Sequence, residues 1–328
     1  MNHPLEAFAS SLDLNASKVI NSPSLILLCG GPIPTKPGAD PSLRELFHKH
    51  LKDNHLNLFE KVLLAEEANE WVRPANHYDN LFDFENDLAS LSAVILVFVE
   101  SAGSIAELGA FCQAPPLREK LVAILEHSHQ DDTSFIKSGP IELLRRHHDK
   151  GANPVHFLPW LRPANKHGQR RLLISAARET VDKLGKWLSE YMGTLAGEEK
   201  FHKDEIGHHQ LLIADSISLC TIALKKDVAS FLKGLTINIP TPDLDKYLFL
   251  LEKLRLIGKT DYGNNTYYVA GAESAEYIEY VYREAGKRWD RLGIPMKVFS
   301  DSDWIPVTGS EVKLIVFGAK RRWRSYRA

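Results

Sequence analysis

Cysteine is scarce in this chain of 328 residues, and the three that occur, Cys29, Cys112 and Cys220, have neither metal-ligand nor CxxC spacing. This usage is typical of a reducing compartment and argues against a disulfide framework. The histidines do not combine with cysteine or acidic residues at metal-ligand spacing, so the sequence predicts no metal site. A P-loop pattern is also missing, which argues against a phosphate site of that kind.

Long apolar runs and an excess of one charge are absent as well. No apolar run approaches the roughly 20 residues of a membrane span, and the N-terminus lacks the basic start and apolar stretch of a signal peptide. The formal net charge of −2 argues against a protein whose whole surface binds nucleic acid. Together these absences predict a cytoplasmic protein with no membrane partner.

Short apolar runs alternate with helical patterns through residues 1–195, the first predicted domain. This alternation predicts an α/β fold with a doubly wound parallel sheet. The strongest run, Ala93–Val99, leads into the turn Glu100–Gly103 and a helix predicted to begin at Ser104. Open α/β sheets bind their ligands at such strand–turn–helix junctions.

The pattern changes in residues 205–292, the second predicted domain. Two helical segments, 206–226 and 242–256, precede two β-like runs around Gly263-Asn264-Asn265, which is a hairpin signal. Helix, helix and hairpin is the order of a winged helix-turn-helix. A further helix is predicted over residues 275–292.

The last segment, 293–328, is predicted to hold a strand over residues 311–317 and a basic tail with two aromatic residues. Basic groups neutralise phosphates and aromatic rings stack on bases, so nucleic-acid contact is one interpretation. A solvent-exposed tail is the other. The basic residues concerned are Lys320, Arg321, Arg322, Arg324 and Arg327.

Glu107 has two interpretations from its position alone. Ser104 and Glu107 fit the S-x-x-E capping box that often begins a helix. Alternatively, a carboxylate near a helix start could attack or stabilise a glycosyl carbon, while the first helical amides hold a phosphate or sugar hydroxyls.

Four blocks of the sequence, in this order, resemble the nucleoside deoxyribosyltransferase-like effectors, or toxins, of bacterial retrons. Retrons are anti-phage modules built from a reverse transcriptase and a hybrid RNA–DNA molecule. The resemblance covers roughly residues 24–150, and the winged-helix-like second half matches the family layout. The blocks are LILLCGG, FDFENDLASLSAVILVFVESAGSIAELGAF, LREKLVAILE and TSFIKSGPIELLRRH.

The resemblance implies a flavodoxin-like, deoxyribosyltransferase-like sheet domain with Glu107 as the catalytic carboxylate. The turn Ser101–Ser104 departs from the Asp-Ser-Gly-Thr that is frequent in ordinary nucleoside enzymes, which argues against simple nucleoside exchange. The substrate-binding residues that the resemblance implies are Gly30, Gly31, Glu85, Asn86, Ser101, Gly103 and Ser104.

The implied activity is an N-glycosidase that cleaves the nicotinamide–ribose bond of NAD and depletes NAD in infected cells, a form of abortive infection. NAD is then the substrate, and no cofactor is expected. The implied partners are the retron reverse transcriptase and its hybrid RNA–DNA, within an oligomer or a higher assembly. Two alternatives stay open: a deoxyribosyltransferase or ADP-ribosyltransferase, and a winged-helix DNA-binding regulator whose first domain senses a nucleotide.

Overall fold

The computed structural model describes residues 3–31, 40–66, 68, 77–131, 133–147, 153–162, 171–195, 197–271, 276–291 and 309–325. The chain folds into two compact units. The sheet unit comprises residues 23–74 and 81–195, and the terminal unit comprises residues 1–22, 75–80 and 196–328. Residues 1–22, which the sequence assigns to the first domain, thus belong to the terminal unit.

The sheet unit is built on a five-stranded parallel sheet with the order β3-β2-β4-β5-β6. Its strands are almost continuously apolar because both faces of the sheet are covered. From β2 the chain adds β3 on one side and β4, β5 and β6 on the other. The space between β2 and β4 is therefore a topological switch point, where open sheets bind ligands. The strands are β2 (Ile26–Cys29), β3 (Val62–Leu64), β4 (Val94–Phe98), β5 (Leu121–Glu126) and β6 (Val155–Leu158).

Helices connect these strands and cover the sheet. On one face Leu28 and Leu96 pack with Phe47 of α2 and Leu184 of α8, and burying each such side chain contributes roughly 1.5–3 kcal/mol. Helix α5 packs against β4 and β5. The predicted α/β fold with a parallel sheet is confirmed, and its deoxyribosyltransferase-like identity stays a prediction. The helices are α2 (Leu43–Asn54), α3 (Leu56–Phe59), α4 (Leu81–Leu91), α5 (Ala102–Gln113), α6 (Pro115–Arg118), α7 (Glu142–His147) and α8 (Ile174–Thr194).

The terminal unit contains two three-stranded antiparallel sheets, with the orders β11-β1-β7 and β8-β10-β9. Its strands are β1 (Lys18–Ile20), β7 (Glu198–Lys200), β8 (Ile222–Ala223), β9 (Ile257–Tyr262), β10 (Asn265–Ala270) and β11 (Ile278–Glu279). Its helices are α1 (Pro4–Ser10), α9 (Ile206–Leu219), α10 (Lys225–Gly234), α11 (Thr241–Lys253) and α12 (Gly309–Ser325).

The predicted hairpin is confirmed. Tyr262 pairs with Asn265 across a two-residue turn, and Gly263 has a φ of 58°, which glycine adopts at little cost. The predicted helix over 206–226 ends instead at Leu219, since Thr221 takes a φ of 60° and the short strand β8 follows. Three helices and a small sheet are therefore present, and their identity as a winged helix stays a prediction.

Two further predictions for the C-terminal region are wrong. Residues 311–317 lie in helix α12, not in a strand, and Ile315 and Ala319 on one helical face are buried against Ile222 and Tyr267. The described residues 276–291 form no helix. Instead β11 pairs with β1, and Glu279 is exposed between the buried Ile278 and Tyr280, which is the alternation of a strand.

Among the described residues, no helix combines the length and the apolar character needed to cross a membrane. The three cysteines are all buried and all carry free thiols.

Candidate active site

The turn after β4 is fixed by two serine side chains. Ser101 is the N-cap of α5, because its Oγ accepts a hydrogen bond from the Ser104 amide at 3.1 Å. Ser104 supplies the reciprocal bond, since its Oγ accepts from the Ser101 amide at 3.0 Å. The predicted capping box of Ser104 and Glu107 is therefore wrong. Helix α5 begins at Ala102, and Glu107 lies in its second turn, outside the cap.

Ser104 is completely buried. Its hydroxyl also accepts from the Glu100 amide at 3.1 Å and donates to the Ser101 carbonyl at 3.0 Å. These bonds use the donor and both lone pairs of the hydroxyl, so the Ser104 side chain holds the turn, and its role in substrate binding stays a prediction. The Ser101 hydroxyl lies 3.4 Å from the Gly30 carbonyl, to which it donates, and thereby connects the ends of β4 and β2.

Gly103 is exposed at the second position of α5. Helix starts of this kind favour anions, because their first amides lack partners within the helix. Of the three residues of this turn predicted to bind substrate, Gly103 is thus the one most open to a ligand.

Glu107 is half-buried, and one of its carboxylate oxygens, Oε2, is buried without a hydrogen-bond partner among the described residues. The pKa of Glu107 is raised to about 7, chiefly because burial disfavours the charged form. The negative charges of Glu85 and Glu66 contribute to this rise, whereas the charge of Arg44 opposes it. Glu107 is therefore a desolvated carboxyl group poised near neutrality, as perturbed groups at functional sites often are.

The same charged groups act on Cys29, the last residue of β2. Burial raises the pKa of its thiol well above the usual range, Glu107 and two further carboxylates raise it more, and Arg44 lowers it. The thiol stays protonated near neutral pH and is a poor nucleophile. Arg44 packs at Gly30, next to this end of β2, and binds Glu66. The charges of Glu66, Glu85, Glu107 and Arg44 all act at the carboxyl end of β2, and we call these four residues the charged cluster.

Arg44 is the cation of this cluster, and its side chain is only 1% exposed. Its Nη1 donates to the carboxylate of Glu66. Its Nε and Nη2 are buried and have no hydrogen-bond partner among the described residues. Buried arginine donors are rarely left unsatisfied, so this guanidinium has an unused capacity to donate hydrogen bonds beside Glu107.

Glu100 fixes the backbone from which Arg44 projects. Its carboxylate accepts hydrogen bonds from the amides of Leu43 at 2.6 Å and Arg44 at 3.1 Å, the first two residues of α2. Burial raises the pKa of Glu100, and these bonds and one from the Gly31 amide oppose that shift. Glu100 is therefore a cap for α2 supplied by the turn after β4.

Gly30 and Gly31 are needed for close packing at the end of β2. A Cβ at Gly30 would lie 3.0 Å from side-chain atoms of Arg44 and Phe98, and one at Gly31 would lie 3.0 Å from Cβ of Ser42. The absence of a side chain at Gly30 thus lets the Arg44 stem pass beside the strand end.

The other predicted site residues lie on two helices. Glu85 and Asn86 are half-buried on α4, and Glu85 belongs to the charged cluster. The Asn86 carbonyl accepts from Ser90 at 2.8 Å, an ordinary helical contact. The backbone of the predicted nucleic-acid residues 320–324 continues α12, and Arg327 lies outside the described residues. In the part of the chain that the structure describes, no group of histidine, cysteine and acidic side chains could hold a metal ion.

Sequence reasoning did not single out Arg44 or Glu66. A signal for Arg44 does exist, because Arg44 and the buried Leu51 are seven residues apart and share one face of α2. A charged residue on an apolar face indicates a buried partner. Glu66, near the end of β3, carries no comparable signal.

Comparison with known proteins adds the family. A family model described as STM3845 retron effector protein matches residues 40–259. Two curated proteins of Escherichia coli are similar in sequence. "Retron Ec73 putative ribosyltransferase/DNA-binding protein" is 30% identical over 156 residues, which are 46% of this chain and 47% of that protein. "Retron Ec86 putative ribosyltransferase/DNA-binding protein" is 44% identical over 71 residues, which are 22% of this chain and 23% of that protein.

The matched stretches thus span about half or less of the curated relatives' own length. The family model, in contrast, spans more than half of this chain and contains the turn after β4, all of α5 and the charged cluster. The chain belongs to the STM3845 retron effector family.

Proposed function

We propose that this retron effector is an N-glycosidase that cleaves the nicotinamide–ribose bond of NAD, with Glu107 as the catalytic carboxylate. The observation that carries the proposal is the desolvated Glu107 carboxyl group, with a buried, unpartnered oxygen, at the switch point of a parallel sheet. The curated relatives are named as ribosyltransferases, and this agrees with chemistry at a ribosyl carbon.

In the proposed reaction a carboxylate oxygen of Glu107 attacks C1′ of the nicotinamide ribose. The C1′–N bond breaks, and its electron pair leaves with the pyridinium ring, which departs as neutral nicotinamide. Water then attacks C1′ of the ribosyl ester, regenerates the carboxylate and yields ADP-ribose and one proton. The exposed amide end of α5 at Gly103 is suited to the pyrophosphate.

The charge of the cluster favours a cationic glycosyl donor. Glu66 and Glu85 add negative charge around Glu107, and Arg44 is the one cation among these four residues. A positively charged nicotinamide ribosyl group, and the oxocarbenium-like transition state formed from it, gain from this negative field. An ordinary nucleoside is neutral, and its base needs a proton to leave, so it gains less.

The terminal unit is proposed to serve the retron assembly. Helices α9, α10 and α11 with the β9–β10 hairpin have the element order expected of a winged helix, and the names of both curated relatives include DNA binding. We assign this part of the chain to contact with the hybrid RNA–DNA or with the reverse transcriptase. NAD loss in phage-infected cells then follows from release of the activity within that assembly.

The test compares nucleotide pools in phage-infected cells that express the full chain, Glu107→Gln or Glu119→Gln, each with the rest of the retron. Glu119 is an exposed glutamate of the sheet unit and provides the matched control. We expect NAD to fall and ADP-ribose and nicotinamide to appear with the wild type and with Glu119→Gln. Loss of the nucleophile should slow cleavage by roughly a thousandfold or more in Glu107→Gln.

Other results point to the other functions. Unchanged NAD with altered nucleoside pools indicates a nucleoside enzyme, and ADP-ribose found on protein indicates an ADP-ribosyltransferase. Full NAD cleavage by a folded Glu107→Gln variant would show that Glu107 is not the catalytic carboxylate. Growth arrest with all pools unchanged indicates a DNA-binding regulator.

A further inference from the structure

Two side chains of the charged cluster have unused hydrogen-bonding atoms. The Nε and Nη2 groups of Arg44 can donate, and Oε2 of Glu107 can accept, and none of these buried atoms has a partner among the described residues. The stem of Arg44 packs at Gly30, and the Gly30 carbonyl accepts a hydrogen bond from Ser101, the N-cap of the helix that carries Glu107. The charge of Arg44 also acts on the Glu107 carboxyl group. A ligand that satisfies both must accept on one side and donate on the other.

The charges of the cluster decide what kind of ligand fits. Arg44 is already neutralised by its ion pair with Glu66. Glu85 and Glu107 add further negative charge, so a phosphate beside Arg44 would be repelled. A neutral hydroxyl group is not repelled, and it both accepts and donates hydrogen bonds.

We infer that Arg44 binds the ribose 2′-hydroxyl of the glycosyl donor. This hydroxyl accepts a hydrogen bond from the guanidinium and donates one to Glu107. The inference rests on the proposed function, since Glu107 is taken to act at C1′. C2′ is bonded to C1′, so its hydroxyl is the sugar group that reaches the second oxygen of a carboxylate placed at C1′. Arg44 is thus a specificity-determining residue for ribosyl over 2′-deoxyribosyl donors.

The rigid setting of Arg44 strengthens this selectivity. Its backbone amide is held by Glu100, its stem packs at Gly30, and its Nη1 is held by Glu66. A 2′-deoxyribosyl donor leaves the buried guanidinium donors unsatisfied. Sites built to bind a hydroxyl reject analogues that lack it by up to roughly 10⁴–10⁵-fold, and we expect at least about a hundredfold here, because water can replace part of the lost bonding.

The experiment measures kcat/KM of the full chain for NAD and for its analogue with 2′-deoxyribose in the nicotinamide half. Arg44→Lys keeps the positive charge near Glu66 but removes the guanidinium group. Glu66→Gln removes the ion pair that holds the guanidinium in place and changes only a half-exposed side chain. The exposed Arg178 on α8 gives the control Arg178→Lys.

We expect the wild type and Arg178→Lys to prefer NAD at least about a hundredfold. In Arg44→Lys the preference for NAD should fall to within a few-fold of unity. The preference of Glu66→Gln should lie between those of the wild type and Arg44→Lys. The fall should come from a loss of kcat/KM for NAD, with little change for the analogue. Circular dichroism checks that each variant is folded, and Glu66→Gln keeps the test valid if Arg44→Lys does not fold.

Binding separates this inference from the proposed function. In Glu107→Gln, calorimetry with the same two nucleotides needs no bond cleavage, so it reports on Arg44 even if NAD is not the reactive substrate. Tighter binding of NAD that disappears in Glu107→Gln/Arg44→Lys supports the inference. It is overturned by equal binding of the two nucleotides, by binding of neither, or by a preference that survives Arg44→Lys.

Discussion

Glu107 combines two opposing requirements in one side chain. As the proposed nucleophile Glu107 must be ionised, and yet burial and the charges of Glu85 and Glu66 hold its pKa at about 7. Such a carboxylate is more basic than an ordinary one, and a cationic donor that binds beside it restores the stabilisation that burial removed. In the unliganded protein that stabilisation is missing, so the ionised form lowers the stability of the fold.

The stability of the fold should therefore respond to pH through Glu107. A carboxyl group whose folded pKa is raised binds its proton more tightly in the folded state, so stability falls as the pH rises from about 4.5 to about 7. Glu107→Gln removes this loss. The free energy of unfolding of Glu107→Gln minus that of the wild type should therefore increase by about 2 kcal/mol from pH 5 to pH 8, with allowance for partial exposure.

Urea unfolding of both proteins at the two pH values measures this gain. The control Glu119→Gln should show no comparable change between pH 5 and pH 8. If Glu107→Gln is no more stable than the wild type at pH 8, the carboxyl group is not desolvated as described.

At the scale of elements, the turn after β4 connects the end of that strand with the starts of α5 and α2. Its Ser104 hydroxyl satisfies the Glu100 and Ser101 amides, and its Glu100 carboxylate caps α2. One short turn thus fixes the start of α5, which carries Glu107, and the start of α2, which carries Arg44.

Ser104→Ala should destabilise the protein by about 1–3 kcal/mol, because two backbone amides lose their partner in a fully buried place. Ser189, exposed on α8, allows the same substitution without such bonds, and Ser189→Ala should change stability by less than about 0.5 kcal/mol. Chemical denaturation of both variants provides the comparison. Equal effects of the two substitutions would contradict the assigned role of Ser104.

The elements show what the sequence could predict. Continuous apolar runs such as Val94–Phe98 predicted strands well, because both faces of the sheet are covered and few polar residues interrupt them. The run at 311–317 also holds β-branched residues, although Glu311 and Lys313 interrupt it, and it forms a helix. A short β-branched run does not distinguish a strand from a helix, and packing against Ile222 and Tyr267 decides.

The candidate site was predictable to a lesser degree. Glu107 is singled out by its place after a strand and a turn and by the family resemblance, whereas the setting of Arg44 depends on Glu66 and Gly30, which are distant in sequence. The Ser104 hydroxyl is bonded to the backbone of its own turn, and its predicted role in substrate binding is not tested by this contact. Which serine of a small-residue turn becomes the N-cap depends on backbone geometry that the residue types leave open.

At the scale of the whole molecule, the first residues of the chain belong with the last third. Strand β1 lies between β7 and β11, and α1 packs against α10. Gly234 at the end of α10 allows this contact, since a Cβ there would lie 2.4 Å from the Glu6 carbonyl oxygen and 2.7 Å from Cβ of Ala9. No local pattern could reveal a pairing between such distant parts of the sequence.

Gly234→Ala should therefore loosen the terminal unit and leave the sheet unit intact. We expect faster amide hydrogen exchange in residues 3–20 and 197–271, and unchanged protection in β2, β4 and β5. Gly193→Ala is the control, since a Cβ there meets no atom within 4 Å. Faster exchange confined to the sheet unit would contradict this division of the chain.

The buried cysteines leave the protein without a reactive thiol at its surface. Burial raises the pKa of Cys29, Cys112 and Cys220, so the native chain should react slowly with maleimides. Cysteines introduced at the exposed positions Ser189 and Ala285 can then accept a fluorophore pair with no native cysteine removed. Energy transfer between the dyes would follow the distance between the two units as NAD or the hybrid RNA–DNA is added.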